Sequence, residues 1–411
     1  MSKEPSVFHS RREWLRRAAL AGAAGLTGRE WLAAAEQPDI VKLPFANGER
    51  QLVKFPQKRP LMLLTRRPPQ LETPFAIFNE GIITPNDAFF VRYHLANIPL
   101  KIDDETFRCE IKGSVKSPLS LSLHDLKTNY EQVEVIAVAQ CSGNSRGFFN
   151  PRVGGGQLGN GAMGNAKWRG VRLKDVLEKA GLAADAKQVA FNGLDTPATD
   201  KTPDFIKALD VEHIMAGEVI LAHTMNGEPL PMLNGFPLRL VVPGYYATYW
   251  VKHVNEITVL NEALANFWMA TAYRIPATEG ACVEPGTTPK STVPINKMNV
   301  RSFITSHADG AKLKQGAPVT VRGIAFDGGE GIKEVQFSTD GGRSWSAAVL
   351  GDDAGKYSFR EWKITFAAQA GAQTWKCRAF SRTGQSQPME PLWNPAGYMR
   401  NVVETLNVEL S

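Results

Sequence analysis

Apolar positions along this chain fall into two textures. From residue 81 to about 275, short β-type runs alternate with helical ones. Residues 107–111 and 133–139 read as strands, 238–243 as a further buried strand, and 250–260 as an extended segment. Residues 123–129 and 173–180 are predicted helices; in the second, Leu173, Val176, Leu177 and Ala180 recur at three- and four-residue spacing on one face. That mixture predicts an α+β or α/β domain with long loops. Beyond the stretch 286–294, whose Gly, Pro, Ser and Thr content reads as a linker, the period becomes two. Val319, Val321, Ile324, Val335, Phe337, Trp345, Trp362, Ile364, Trp375 and Cys377 sit in short alternating runs, and Asp340-Gly341-Gly342 predicts a hairpin between Phe337 and Trp345. Several short strands so close together predict an immunoglobulin-like β-sandwich. Residues 40–79 are Pro-rich and read as irregular chain wrapping the first domain.

At 411 residues, with 43% hydrophobic and 21% charged positions, the chain is globular and long enough for two domains. Its net charge of +6 is scattered apart from the amino-terminal arginines, so no nucleic-acid stripe is present; a diffuse positive excess suits a small anionic substrate or an acidic partner. The four cysteines, Cys109, Cys141, Cys282 and Cys377, form no C-x-x-C or C-x-x-C-H arrangement, which argues against a zinc ribbon, an attached c-type haem or a disulfide framework. Ser10-Arg11-Arg12-Glu13-Trp14-Leu15-Arg16-Arg17 precedes a small-residue apolar stretch and Ala33-Ala34-Ala35, the marks of a twin-arginine (Tat) export signal cleaved after Ala35. The predicted layout is a leader over 1–35, a catalytic domain over 36–285 and a sandwich over 286–411, in a periplasmic protein. Such proteins are exported already folded, which suggests a cofactor inserted beforehand. Past the leader no apolar run is long enough to span a bilayer.

Four segments carry candidate chemistry. Val138-Ala139-Gln140-Cys141-Ser142-Gly143-Asn144-Ser145-Arg146 ends a strand on a turn-forming stretch, which presents one thiol beside a cation. A thiolate so placed ligates a soft, redox-active metal and Arg146 attracts an oxyanion, although a free cysteine is equally at home as a small buried hydrophobe. In Phe89-Phe90-Val91-Arg92-Tyr93-His94, Arg92 and His94 share one face of an extended strand and both can reach one anionic group, or else both are exposed polar residues. Arg239 lies alone in the apolar run Pro237-Leu238-Arg239-Leu240-Val241-Val242-Pro243, so it needs a phosphate or a carboxylate partner. The aromatic-dense stretch 245–253 is mostly core material, with Lys252 and the later Tyr273 singled out as functional. The Gly-rich stretch 154–164 lacks a Walker lysine and a G-x-G-x-x-G pattern, which excludes those nucleotide sites.

Together the Arg-x-His strand, the Cys-Ser-Gly-Asn-x-Arg loop, Pro-x-Arg-x-Val-Val-Pro-Gly, Val-Lys, the late tyrosine and the sandwich resemble the sulfite oxidase family of molybdenum enzymes, above all its bacterial periplasmic sulfite dehydrogenases. The resemblance covers nearly all of the mature chain. It implies oxidation of sulfite to sulfate at a molybdenum–molybdopterin centre and an α+β molybdopterin-binding domain followed by the sandwich. Cys141 would ligate the metal; Arg92, Arg146, Tyr273 and Arg400 would meet the oxyanion; His94, Asn234, Arg239 and Lys252 would hold the pterin and its phosphate. Electrons would pass to an external c-type cytochrome, with no haem in this chain, in a homodimer or a heterodimer with a cytochrome subunit. Asn234 stands where animal members carry a histidine, and Leu158-Gly159 where they carry a tryptophan. Nitrate or sulfoxide reduction, or a cofactor-free binding role, are the rival readings.

Overall fold

The computed structural model describes residues 39–411 apart from Gln315 and Ala368; the predicted leader lies outside the described residues. Four strands, Ile40–Lys42, Glu49–Val53, Leu61–Thr65 and Gln70–Glu72, form an antiparallel meander that ends on Val91–Arg92. Residues 40–79 therefore contain four strands, where only irregular chain was expected. Strands of three to five residues divided by Pro and Gly turns are too short for alternation to stand out against the breakers.

Two further sheets make the body of the first domain. One orders Lys207–Asp210, Gln188–Gly193, Val254–Leu260, Cys109–Gly113 and Leu119–Leu121, with Val254–Leu260 parallel to Cys109–Gly113. The other orders Glu228–Pro229, Ile220–Met225, Met163–Arg172 and Gln132–Gln140, with Arg239–Val241 also paired to Ile220–Met225. In its longest strand Gly170 lies under the Leu221 carbonyl, where a Cβ would collide. The helix Leu123–Thr128 starts at a capping box, Ser122 and Asp125 each satisfying the other's backbone N–H. Leu173–Ala180 is helical, and the four apolar residues of its periodic face are buried. The domain is α+β.

The sandwich packs Arg301–Ile304, Pro318–Phe326, Arg360–Ala367 and Val349–Leu350 against Ala311–Leu313, Thr405–Leu410, Gly371–Ser381, Ile332–Ser338 and Ser346–Ala347. The expected hairpin is present: Ile332–Ser338 pairs with Ser346–Ala347, and Asp340 Oδ1 accepts from the backbone N–H groups of Arg343 and Ser344 in the turn. Part of the expected linker is a strand, since Thr292–Pro294 pairs with Arg274–Pro276. The sandwich has an apolar core of its own around Trp362 and Trp375, and a few of its residues join the first domain's core, with Phe303 5.4 Å from Phe75 and Phe359 6.0 Å from Phe78, ring edge to face. Among the described residues no helix is long and apolar enough to cross a membrane.

Candidate active site

The strands Val91–Arg92 and Gln132–Gln140, the segment 233–252 and Tyr273 converge on one cavity. The side-chain alternation around Val91–Arg92 sorts its residues. Phe90, Arg92 and His94 line the cavity, while Val91 and Tyr93 turn into a separate apolar cluster with Leu61 and Leu71. Cys141 lies at the cavity where the strand Gln132–Gln140 stops, with Ser142 beside it. Arg239, Lys252 and Asn234 line the cavity as well.

Charge in the cavity is unbalanced. Arg92, Arg239 and Lys252 line it, and among its described lining residues Asp195 is the one carboxylate. Burial lowers the Lys252 ammonium to about 7, reinforced by Arg239 and Arg92 and opposed by Asp195. Burial likewise lowers the Arg239 guanidinium to about 10 and raises the Asp195 carboxyl. Arg239 Nη1 donates to the Asn234 carbonyl at 2.9 Å, its Nε has no partner, and Trp168 and Trp250 flank its guanidinium. Ser142 Oγ and Thr248 Oγ1, also on the lining, are buried and unpartnered too. Lys252 Nζ donates to the Arg92 carbonyl at 2.7 Å and sits 4.2 Å from the Tyr93 ring centroid. Behind Asn234 is Lys58, whose Nζ donates to Asn234 Oδ1 at 2.5 Å and to the carbonyls of Asn86 and Phe89; burial lowers it to about 7.

One side is aromatic. His94 stacks on Phe205 at 3.8 Å between centroids, and its Nε2 is hydrogen-bonded to the Tyr273 hydroxyl. Burial holds His94 well below the usual imidazole range and pushes the Tyr273 phenol up, so the pair is neutral histidine and protonated tyrosine. The Tyr273 ring stacks on Tyr398 at 5.4 Å, and Lys207 Nζ lies 5.4 Å from its centroid.

Seven of the nine residues expected at the site line the cavity: Arg92, His94, Cys141, Asn234, Arg239, Lys252 and Tyr273. Arg146 and Arg400 do not. Ser145 adopts a left-handed φ of 71°, and Arg146 after it lies toward Tyr398. There its guanidinium lies 4.9 Å from the Tyr398 ring centroid, against Gly143, and Nε donates to the Ala396 carbonyl. The left-handed Met399, at φ 63°, directs Arg400 to Glu404 at 2.5 Å, with its guanidinium 5.1 Å from the Phe148 ring centroid. The sandwich thus brings Tyr398 toward the site where an arginine was expected. Asp195, Thr248, Lys58 and Tyr398 escaped the sequence reading; a solitary buried polar residue between apolar ones is the signal that could have marked Thr248.

The sequence model described as "Oxidoreductase molybdopterin binding domain" matches residues 94–268, and that described as "Mo-co oxidoreductase dimerisation domain" matches 292–410. "Sulfite oxidase, mitochondrial" of Homo sapiens is 33% identical over 371 residues, 85% of this chain and 66% of that protein. "Sulfite oxidase" of Gallus gallus is 32% identical over 364 residues, 84% of this chain and 77% of that protein. The chain belongs to the sulfite oxidase family. It spans about two thirds of the length of the human relative. The crystal structure of the sulfane dehydrogenase SoxCD from Paracoccus pantotrophus shares the fold, with a TM-score of 0.71, 24% identity and 94% of each chain covered.

The cavity suits the cofactor of a molybdopterin-binding family. An anionic group would meet Arg239 Nε, Ser142 Oγ and Thr248 Oγ1, which otherwise stay buried and unsatisfied. Among the described residues no three His, Cys, Asp or Glu side chains are grouped to hold a metal. A soft metal bound here would take one thiolate, Cys141, from the chain and its remaining sulfurs from the pterin.

Proposed function

We propose that this protein oxidises sulfite to sulfate at a molybdenum–molybdopterin centre and passes the electrons to an external c-type cytochrome, in the periplasm after Tat export directed by residues 1–35. The observation that carries the reading is the lone thiol of Cys141 in a cavity with three cationic residues and one carboxylate. The molybdenum cofactor, when bound, supplies a two-electron oxygen-transfer couple.

The chain's own residues do the rest. Cys141 supplies the thiolate ligand. Arg239, Lys252, Ser142 and Thr248 hold the pterin and its phosphate, and Asn234, pinned by Lys58, shapes that end of the cavity. Arg92 pairs with the incoming oxyanion, since a guanidinium keeps its charge at any working pH and binds two oxygens at once. Tyr273 donates a hydrogen bond to the same group. In the tautomer that carries its hydrogen on Nε2, His94 donates to the phenol oxygen and leaves the phenol's own hydrogen for the cavity. Arg146 acts through Tyr398, which stacks on Tyr273.

The test is molybdenum analysis of the purified protein together with sulfite-dependent cytochrome c reduction. Cys141→Ser is expected to lose activity by at least about a hundredfold, beyond the range for side chains that only steady a metal ligand. A near-normal rate in that variant would overturn the assignment.

A further inference from the structure

The turn that follows Cys141 is held from two sides. From its own domain, Cys141 N–H donates to the Ala162 carbonyl at 2.9 Å, and Asn144 Oδ1 accepts from Ala162 N–H at 3.0 Å. From the sandwich, Met399 N–H donates to the Ser142 carbonyl at 3.1 Å, and the Ala396 carbonyl accepts from Arg146 Nε at 3.1 Å. A third contact from the sandwich is different in kind. Arg301 is 1% exposed, and its Nη2 donates to Ser145 Oγ at 2.7 Å and to Glu404 Oε1 at 2.9 Å.

We propose that Arg301 is a positioning residue through which the sandwich sets the path of the Cys141–Arg146 turn and so the aim of the thiol. Ser145 is the pivot, a non-glycine residue in the left-handed region four positions after the thiol. Its hydroxyl donates to Asn160 Oδ1 and accepts from Arg301, so that both partners fix one rotamer and with it the backbone. Arg301 is itself immobilised. Glu404 bridges it to Arg400, and its guanidinium lies 4.4 Å from the centroid of Phe303, which packs on Phe75 of the first domain. Packing alone does not call for a charge here. Arg301 Nε and Nη1 are buried without partners, and an apolar side chain would seal the interface with no such desolvation. The polar contact is retained because it specifies a direction that apolar packing does not.

This inference rests on the reading of Cys141 as the cofactor's ligand, and its test separates the two. In the full chain as purified, iodoacetamide labelling is followed cysteine by cysteine by peptide mass spectrometry. Cys109 and Cys377, both fully buried, report global loosening, and the more exposed Cys282 reports reagent activity. In Arg301→Met, Cys141 is expected to label several times faster while Cys109 and Cys377 stay unlabelled. Should Arg301→Met fold poorly, Ser145→Ala removes the same hydrogen bond without stranding a charge and is expected to raise Cys141 labelling in the same way. Unchanged labelling of Cys141, or labelling that rises only together with Cys109 and Cys377, overturns the positioning role. If Cys141→Ser keeps a near-normal rate of sulfite oxidation, the ligand assignment fails instead, and the relative labelling of Cys141 still reports on the turn.

Discussion

Arg92 serves two purposes with different parts of one residue. Its carbonyl accepts from Lys252 Nζ and helps to fix the wall, while its guanidinium faces the cavity. Arg92→Gln keeps the first and removes the charge-assisted contact to an oxyanion, worth about 1.5–3 kcal/mol, so the KM for sulfite is expected to rise roughly tenfold or more in steady-state cytochrome c reduction. A KM within twofold of the parent, about 0.4 kcal/mol, would mean that Arg92 does not meet the substrate. Arg92 and His94 were legible in the sequence because strand alternation puts both on one face. Arg146 and Arg400 were legible as charges but not as directions. Each follows a left-handed non-glycine residue, Ser145 or Met399, and nothing in residue type announces that turn. Lys58 was hidden for another reason. It meets Asn234 across 176 positions, a pairing that only the folded chain reveals.

Elements differ in how openly the sequence displays them. The helix Leu173–Ala180 is legible because its apolar face repeats over two turns, and the capping box at Ser122 is a local signal. The meander over residues 40–72 is not, because its pairing depends on neighbours and its strands are short. Met163–Arg172 links these scales. It lies between Gln132–Gln140, which leads into Cys141, and Ile220–Met225, which carries Arg239–Val241 on its other edge. Its close approach to Ile220–Met225 depends on Gly170, where a methyl group would strike the Leu221 carbonyl. Gly170→Ala is expected to force the two strands apart and to destabilise the protein by about 1–3 kcal/mol in urea unfolding, the usual range for overpacking.

The whole molecule carries an electrostatic load that follows from its buried cations. Burial lowers Lys58, Lys207 and Lys252 to about 7 from 10.5. Between those values the unfolded chain holds protons that the folded chain does not, so through these groups stability increases as pH rises from about 7 and is lost again as it falls back. Below 7 both states are protonated and the contribution levels off. Lys58→Met is expected to melt with a shallower rise in Tm between pH 7 and 9 than the parent, because one of the three contributions is gone; equal slopes would show that Lys58 does not titrate in this window. An anion seated against Lys252 favours its charged form and flattens the same curve.

Tyr398 joins the two halves of the molecule at the point where substrates would be told apart. It belongs to the far end of the chain, yet it stacks on Tyr273 and stands between that ring and Arg146. On the proposed function, discrimination between anions of different shape would be a joint property of segments more than a hundred positions apart. A chimera that grafts this first domain onto a relative's sandwich would inherit the thiol and the pterin cradle but face them with a foreign wall. Changes in preference can in turn arise from substitutions near the carboxy terminus that never touch the metal.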